Sequence, residues 1–328
     1  MTPTERRRWR AVVVASAALL GVLLLIRPGE AAAAGVQASS LTETAMTWWK
    51  AMVLGTVEGL TEYVPVSSTG HLLVANEALG LGTSEADIAA ANTYAIAIQF
   101  GAIAAVAGLF WRRFVQMIQG LFGRSAVGRR LVVLLLVAFA PAAVLGFLFS
   151  DTIEDRLFAP WPIVAAWAAG GLLILGLERG GYIPRRGEFV QKGRDPLLEI
   201  SVRQAFLIGM IQTLAMWPGT SRSLATILGA LLVGVGMAAA VEFSFLLGFV
   251  TLTAASVYSL HQDGGSLFDQ FGYVDPLIGL VFAFLSAVIA IKWMIDYLQR
   301  HSLAIFGWYR LAAATVTGSL ILAGVINA

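Results

Sequence analysis

Long apolar runs alternate with short polar stretches along almost the whole chain. Uncharged runs occupy residues 11 to 26, about 88 to 110, 131 to 149, 161 to 177, 238 to 260, 277 to 291 and 304 to 326, separated by clusters of charge, Gly and Pro. Each is close to the roughly 20 residues that an α-helix needs to cross the hydrocarbon core of a bilayer. Seven spans are therefore predicted, and the fold class is all-α and polytopic. Two further stretches, 48 to 80 and 204 to 235, are apolar enough to enter a membrane, yet each is broken at its middle by Pro and small hydroxyl residues.

Composition excludes a soluble protein. The 328 residues are 58% hydrophobic and only 13% charged, where soluble chains carry about 25% charge. The absence of Cys removes disulfides, thiolate metal sites and Cys nucleophiles, and a net charge of +2 is too small an excess to suggest nucleic acid.

Charge placement sets a topology. Arg112, Arg113, Arg124, Arg129 and Arg130 fill one connection, whereas Asp151, Glu154 and Asp155 with a single Arg156 fill the next. A strongly basic loop follows, with Arg179, Arg185, Arg186, Lys192, Arg194 and Arg203. Asp263, Asp269 and Asp275 then stand without Lys or Arg, and Lys292 and Arg300 make the final turn basic. Excess Lys and Arg marks the cytoplasmic side, so the C-terminus is expected outside. At the other end, Arg6, Arg7, Arg8 and Arg10, the first run and Ala31 to Ala34 fit either a cleaved secretory signal or a retained signal anchor over residues 1–40. Both put residue 40 outside.

Parity then decides what the two broken stretches do. Between residue 40 outside and Arg112 inside, the run at 88 to 110 supplies the one crossing required, so residues 48 to 80 enter the membrane and return. The same count makes 204 to 235 dip in from the cytoplasm. The dips also repeat in sequence: Gly55, Glu58 and Leu60 recur as Gly209, Gln212 and Leu214, and after a one-residue slip Pro65, Ser67 and Ser68 recur as Pro218, Thr220 and Ser221. Each is followed by three spans. The expected architecture is an inverted-topology duplication within a domain at 41–328, with one repeat over about 46–178 and the other over about 203–326, and re-entrant hairpins meeting near the midplane.

Polar residues concentrate in those hairpins. Glu58 and Glu62, at i and i+4, share a helix face and suit one hard divalent cation or a split pair of proton affinities. Pro65 ends the helix, and Ser67, Ser68, Thr69 and Gly70 let the chain turn and present backbone N–H groups to an anion. Ser68 and His71 are candidates for a nucleophile and its base. In the second hairpin Arg222 is the only charge between Arg203 and Glu242. With Thr220, Ser221 and Ser223 around it, it suits a phosphate or diphosphate. Simpler roles compete: hydroxyls satisfying carbonyls at a kink, or Glu58 or Glu62 paired with Arg222 as a structural bridge. Glu242 is expected to pair structurally. His261 and His301 are expected in exposed loops, and Trp48, Trp49, Trp161, Trp308 and Tyr309 in interfacial belts, with Arg310 snorkelling to the cytoplasmic surface.

At these residues the chain resembles the bacterial undecaprenyl-diphosphate phosphatase family linked to bacitracin resistance. Glu58-Gly-Leu-Thr-Glu62 running into Pro65-Val-Ser-Ser-Thr-Gly-His71 looks like its first signature, and Pro218-Gly-Thr-Ser-Arg222-Ser like its second. Phe110-Trp-Arg-Arg113 and Ala240-Val-Glu-Phe-Ser-Phe245 are similar as well, and only the first 40 residues depart from the family's core. The resemblance implies hydrolysis of a C55 polyprenyl diphosphate at the outer face of the bacterial cytoplasmic membrane, recycling the lipid carrier of cell-wall precursors. It assigns Glu58 and Glu62 to a divalent cation, Mg²⁺ or Ca²⁺, and to acid/base work. His71 takes proton transfer, Arg222 the diphosphate and Ser68 nucleophilic attack, with attack by an activated water equally open. Expected partners are the lipid substrate, membrane lipids and, from small residues such as Gly170, Gly171 and Gly176, a second copy in a homodimer.

Two other classes compete. A polyprenyl-phosphate transporter shares the inverted repeats and broken helices, although Ser68, His71 and two carboxylates exceed what passage of an anion needs. A type 2 phosphatidic-acid phosphatase needs two catalytic His, and of three His here only His71 lies in a broken helix.

Overall fold

The computed structural model describes residues 46–81, 85–183 and 195–326, with residues 85–90, 150–152, 154–155 and 260–270 described by backbone only. The expected signal or anchor at 1–40 and most of the basic loop at 184–194 lie outside the described residues. Among these residues there are eleven α-helices and no strand. A pair of short helices, α1 (Trp48–Thr61) and α2 (Ser68–Ala78), precedes α3 (Glu85–Leu109), α4 (Trp111–Leu121), α5 (Ala126–Leu157) and α6 (Pro160–Arg179). A second pair, α7 (Val202–Gln212) and α8 (Arg222–Leu232), precedes α9 (Met237–Phe271), α10 (Val274–Leu298) and α11 (Ala304–Leu322).

Six helices, α3, α5, α6, α9, α10 and α11, contain stretches long and apolar enough to cross a membrane. The chain is thus an integral membrane protein. Helix and apolar run are not the same thing, however. The acidic stretch after residue 260, expected as a loop, is helical to Phe271, and α5 continues through Asp151 to Leu157. Hydropathy reports where the hydrocarbon ends, whereas a helix continues into water wherever nothing breaks it. The basic connection likewise hides α4, an amphipathic helix with Trp111, Ile118 and Leu121 exposed on a chain whose Arg112 faces solvent as well.

Small residues set the packing. On α1, a side chain at Gly55 would overlap the Gly279 carbonyl of α10; on α7, one at Gly209 would overlap the Ala138 carbonyl of α5. Backbones meet at both places because no Cβ stands between them. The two glycines are the repeat mates seen in the sequence, and each packs on the second long span of the other half. Gly170 and Gly171 also work within the chain, facing Arg310 and Gly307 of α11, whereas Gly176 faces open space. Of the residues expected in interfacial belts, Trp48, Trp161 and Trp308 are exposed and Trp49 and Tyr309 half-buried, while Arg310 is fully buried.

Candidate active site

Both broken hairpins meet at one place. The last turn of α1 carries Glu58 and Glu62 on one face, since Glu62 keeps helical dihedrals and its N–H donates to the Glu58 carbonyl at 2.9 Å. They are 1% and 7% exposed. The backbone then leaves the helix until Ser68, and its carbonyls need donors that an apolar setting does not provide. Side chains supply them in succession. Ser223 donates to Val64 at 3.0 Å, Arg310 to Pro65 at 3.5 Å, Trp167 to Val66 at 2.8 Å, and His71 Nδ1 to Ser67 at 2.6 Å.

The second break corrects the sequence register. Ser67 and Ser221 both hold the sparsely populated positive φ, 75° and 74°, and each immediately precedes a helix. Backbone conformation thus pairs Ser67 with Ser221 at the same offset as Gly55 with Gly209, without the one-residue slip, and makes Ser68 and Arg222 equivalent. The slip belongs to the prolines alone, because a 3₁₀ turn (Thr213–Met216) occupies the second break where the first has none. Two non-Gly residues held there cost about 1–3 kcal/mol each, a strain that persists only where surrounding contacts fix it.

Ser68 and Arg222 converge on Glu62. The Ser68 hydroxyl donates to Glu62 Oε2 at 2.5 Å, and Arg222 Nη2 donates to Glu62 Oε1 at 2.9 Å. Arg222 also donates to the Ser244 carbonyl at 3.1 Å and lies 5.0 Å from the centre of the Tyr63 ring. Gly248 of α9 leaves the space that its guanidinium fills. Among the described residues, Glu58 Oε1 and Arg222 Nε are buried with no hydrogen-bond partner. The first break supplies the hydroxyl and the carboxylates, and the second supplies the guanidinium.

Sequence reasoning paired Ser68 with His71, but the geometry does not. The Ser68 hydroxyl faces Glu62, and both ring nitrogens of His71 are engaged elsewhere: Nδ1 on Ser67, Nε2 at 2.6 Å from the Tyr309 hydroxyl. Tyr309 stacks on the imidazole with ring centres 5.6 Å apart and Trp167 meets its edge at 5.1 Å. Tyr309 is therefore a site residue, not a belt residue. Arg310, expected to reach the cytoplasmic surface, is 0% exposed. It donates to the Ala166 carbonyl at 2.9 Å and the Gly219 carbonyl at 2.8 Å as well as to Pro65, so it clasps the two breaks together. Snorkelling fails because its neighbour backbones offer acceptors that lipid lacks. Arg310→Met is expected to cost several kcal/mol, since each buried carbonyl left without a donor costs about 1–3 kcal/mol. Thermal unfolding in detergent checks this; an unchanged midpoint would mean that the carbonyls find other donors.

The remaining candidates separate by burial. Thr69 is exposed and Thr220 half-buried beside the breaks, while Ser221 is buried, accepts from the Leu224 N–H at 3.3 Å and lies 3.0 Å from the Ser223 hydroxyl. Ser223 is fully buried with its hydroxyl committed to Val64. Glu242 pairs with Arg113 at 2.7 Å, and Arg113 also binds Asp195, a structural network joining α4, α9 and the segment before α7. His261 lies on α9, outside the described side chains, and His301 stacks on Tyr297. Glu58 and Glu62, the residues expected to hold a cation, lie on one face of the last turn of α1; no group of three His, Cys, Asp or Glu that would hold a metal occurs among the described residues.

Known proteins share this chain over most of its length. A family described as "Bacitracin resistance protein BacA" matches residues 51–316. The undecaprenyl-diphosphatase of Sorangium cellulosum is 41% identical over 278 residues, covering 84% of this chain and 86% of that protein. The undecaprenyl-diphosphatase of Nitrosomonas europaea is 40% identical over 282 residues, covering 85% and 96%. One named undecaprenyl-diphosphatase 2, from Rhodospirillum rubrum, is 41% identical over 280 residues with 85% and 96% covered. A match running from the first turn of α1 to within α11 leaves one assignment: the chain belongs to the bacitracin resistance protein BacA family.

Proposed function

We propose that this protein is an undecaprenyl-diphosphatase. It hydrolyses undecaprenyl diphosphate to undecaprenyl phosphate and inorganic phosphate at the outer face of the bacterial cytoplasmic membrane, recycling the lipid carrier for peptidoglycan synthesis and so conferring bacitracin resistance. The observation that carries this reading is Glu62 held between the Ser68 hydroxyl and the Arg222 guanidinium, because that triangle joins a nucleophile, its base and an anion-binding cation. The names of the relatives agree with it.

The chemistry follows from those contacts. Ser68 Oγ attacks the terminal phosphorus and passes its proton to Glu62. The bond from that phosphorus to the bridging oxygen breaks, and undecaprenyl phosphate leaves. Water then attacks the phosphoserine; Ser68 recovers its proton from Glu62, and the water's proton goes to the phosphate product. Phosphoryl transfer asks mainly for positioning and charge neutralisation, which Arg222 and the first-turn N–H groups of α2 and α8 supply. The prenyl tail remains in lipid while the diphosphate enters between the breaks.

A divalent cation fits this donor set. Glu58 Oε1 is a buried carboxylate oxygen without a partner, and a Mg²⁺ site needs only one or two carboxylates when substrate phosphates and waters complete it. Glu58 and Glu62 would hold Mg²⁺ or Ca²⁺, whose chemistry is neutralisation of phosphate charge. Chelation with EDTA is expected to stop phosphate release from the purified protein, and added Mg²⁺ or Ca²⁺ to restore it. Full activity in chelator would leave Glu58 and Glu62 as acid/base groups alone.

The same proposal takes α1–α2 and α7–α8 as re-entrant hairpins from opposite faces in an inverted-topology repeat. Support comes from the repeated helix order, the exchanged Gly55 and Gly209 contacts, and the matched φ at Ser67 and Ser221. The alternation of basic and acidic connections orients the chain, and the outward-facing site is what the family resemblance implies.

A further inference from the structure

The hydrogen bonds of His71 define its proton arrangement. The Ser67 carbonyl can only accept, so Nδ1 carries the hydrogen that bonds to it at 2.6 Å. In the neutral ring Nε2 is then a lone pair, and the Tyr309 hydroxyl 2.6 Å away donates to it. If the ring gains a proton at Nε2, the hydrogen points at the same phenol oxygen, which accepts it. Among the described residues, Tyr309 is thus the hydrogen-bond partner of the basic nitrogen of His71. The Tyr309 ring lies within 12° of the imidazole plane and the Trp167 ring packs 5.1 Å from it, so the imidazole is held between protein groups.

The two residues arrive from opposite ends of the chain. His71 stands in the first turn of α2, and Tyr309 on α11, beside the Arg310 that holds both breaks. Placement of the phenol is therefore tied to placement of the breaks. Ser68 already has Glu62 as its partner, so the basic nitrogen of His71 is left to Tyr309.

We propose that Tyr309 is the positioning residue of His71: its hydroxyl donates to the Nε2 lone pair and so holds the ring, already Nδ1–H on the Ser67 carbonyl, in one orientation at the start of α2. The proposal rests on the phosphatase reading above. It separates the phenol's oxygen, which works, from its ring, which packs.

Tyr309→Phe keeps the ring and removes the oxygen. In the purified full chain acting on a C55 polyprenyl diphosphate, kcat is expected to fall about 100-fold, the loss that a small misplacement remote from the reacting atoms brings, with KM nearly unchanged. The ¹⁵N imidazole spectrum of His-labelled protein, which has three His to assign, should keep the Nδ1–H form of His71 in the variant and show its Nε2 signal moved to that of a nitrogen without a donor. Unchanged kcat, a loss confined to KM, or an unmoved Nε2 signal would overturn the proposal. If the variant's unfolding midpoint drops markedly, the spectrum of wild-type protein decides alone: a Nε2–H form would overturn it. Absence of phosphate release in the wild type would defeat the phosphatase reading, while the spectra would still judge the Tyr309 bond.

Discussion

Replacing Arg222 by Ala should lower phosphate release by about 10³-fold or more, the range that an arginine supplies to the transition state of phosphoryl transfer. Arg222 is the cation on Glu62 and joins the second break to Glu62 and Ser68 of the first. Lys should rescue little of the loss, because the guanidinium serves Glu62, the Ser244 carbonyl and the Tyr63 face at once, and an ammonium cannot reproduce that planar fork. Removing one partner of a buried ion pair also destabilises, by roughly 3–5 kcal/mol. A double variant, Arg222→Met with Glu62→Gln, removes both charges and is expected to fold yet remain inactive. Rates near wild type in folded Arg222→Ala would sink the site assignment.

Ser68→Ala should be at least as damaging if the serine attacks phosphorus; a serine hydrolase deprived of its nucleophile loses about 10⁶ in kcat. The substitution removes one oxygen, from a half-buried position, and leaves Glu62 paired with Arg222, so folding should be little affected. Release persisting near the wild-type rate would transfer the attack to a water activated by Glu62, a role the same carboxylate geometry permits.

Much of this site was legible in the chain because charge inside an apolar stretch is costly and hence conspicuous. Glu58, Glu62 and Arg222 stand out for that reason, and Pro65 and Pro218 mark the breaks. What escaped is the residues that look ordinary where they stand. Tyr309 and Arg310 lie near the start of an apolar run, where an aromatic and a cation suggest the interface. On a helix that is apolar on most sides, no polar stripe shows which face meets protein. The Ser68 partner was misread because a His three residues on is a familiar base, while Glu62 reaches the same hydroxyl only once the backbone has turned at the break. The register of the repeat was obscured by prolines that shift by one position, whereas the positive φ at Ser67 and Ser221 restores it. Helix ends were hidden because α5 and α9 outrun their apolar stretches.

The central claim is that two half-sites joined at Glu62 form a phosphatase for a membrane-held diphosphate. Inorganic phosphate release from a C55 polyprenyl diphosphate by the purified wild-type protein in detergent, with Mg²⁺ or Ca²⁺ present, tests it most directly. Multiple turnovers, yielding one phosphate and one polyprenyl phosphate per substrate, are the predicted result. Folded protein that releases no phosphate, yet moves a polyprenyl phosphate across a vesicle membrane, would contradict the account and make the same site a transporter's.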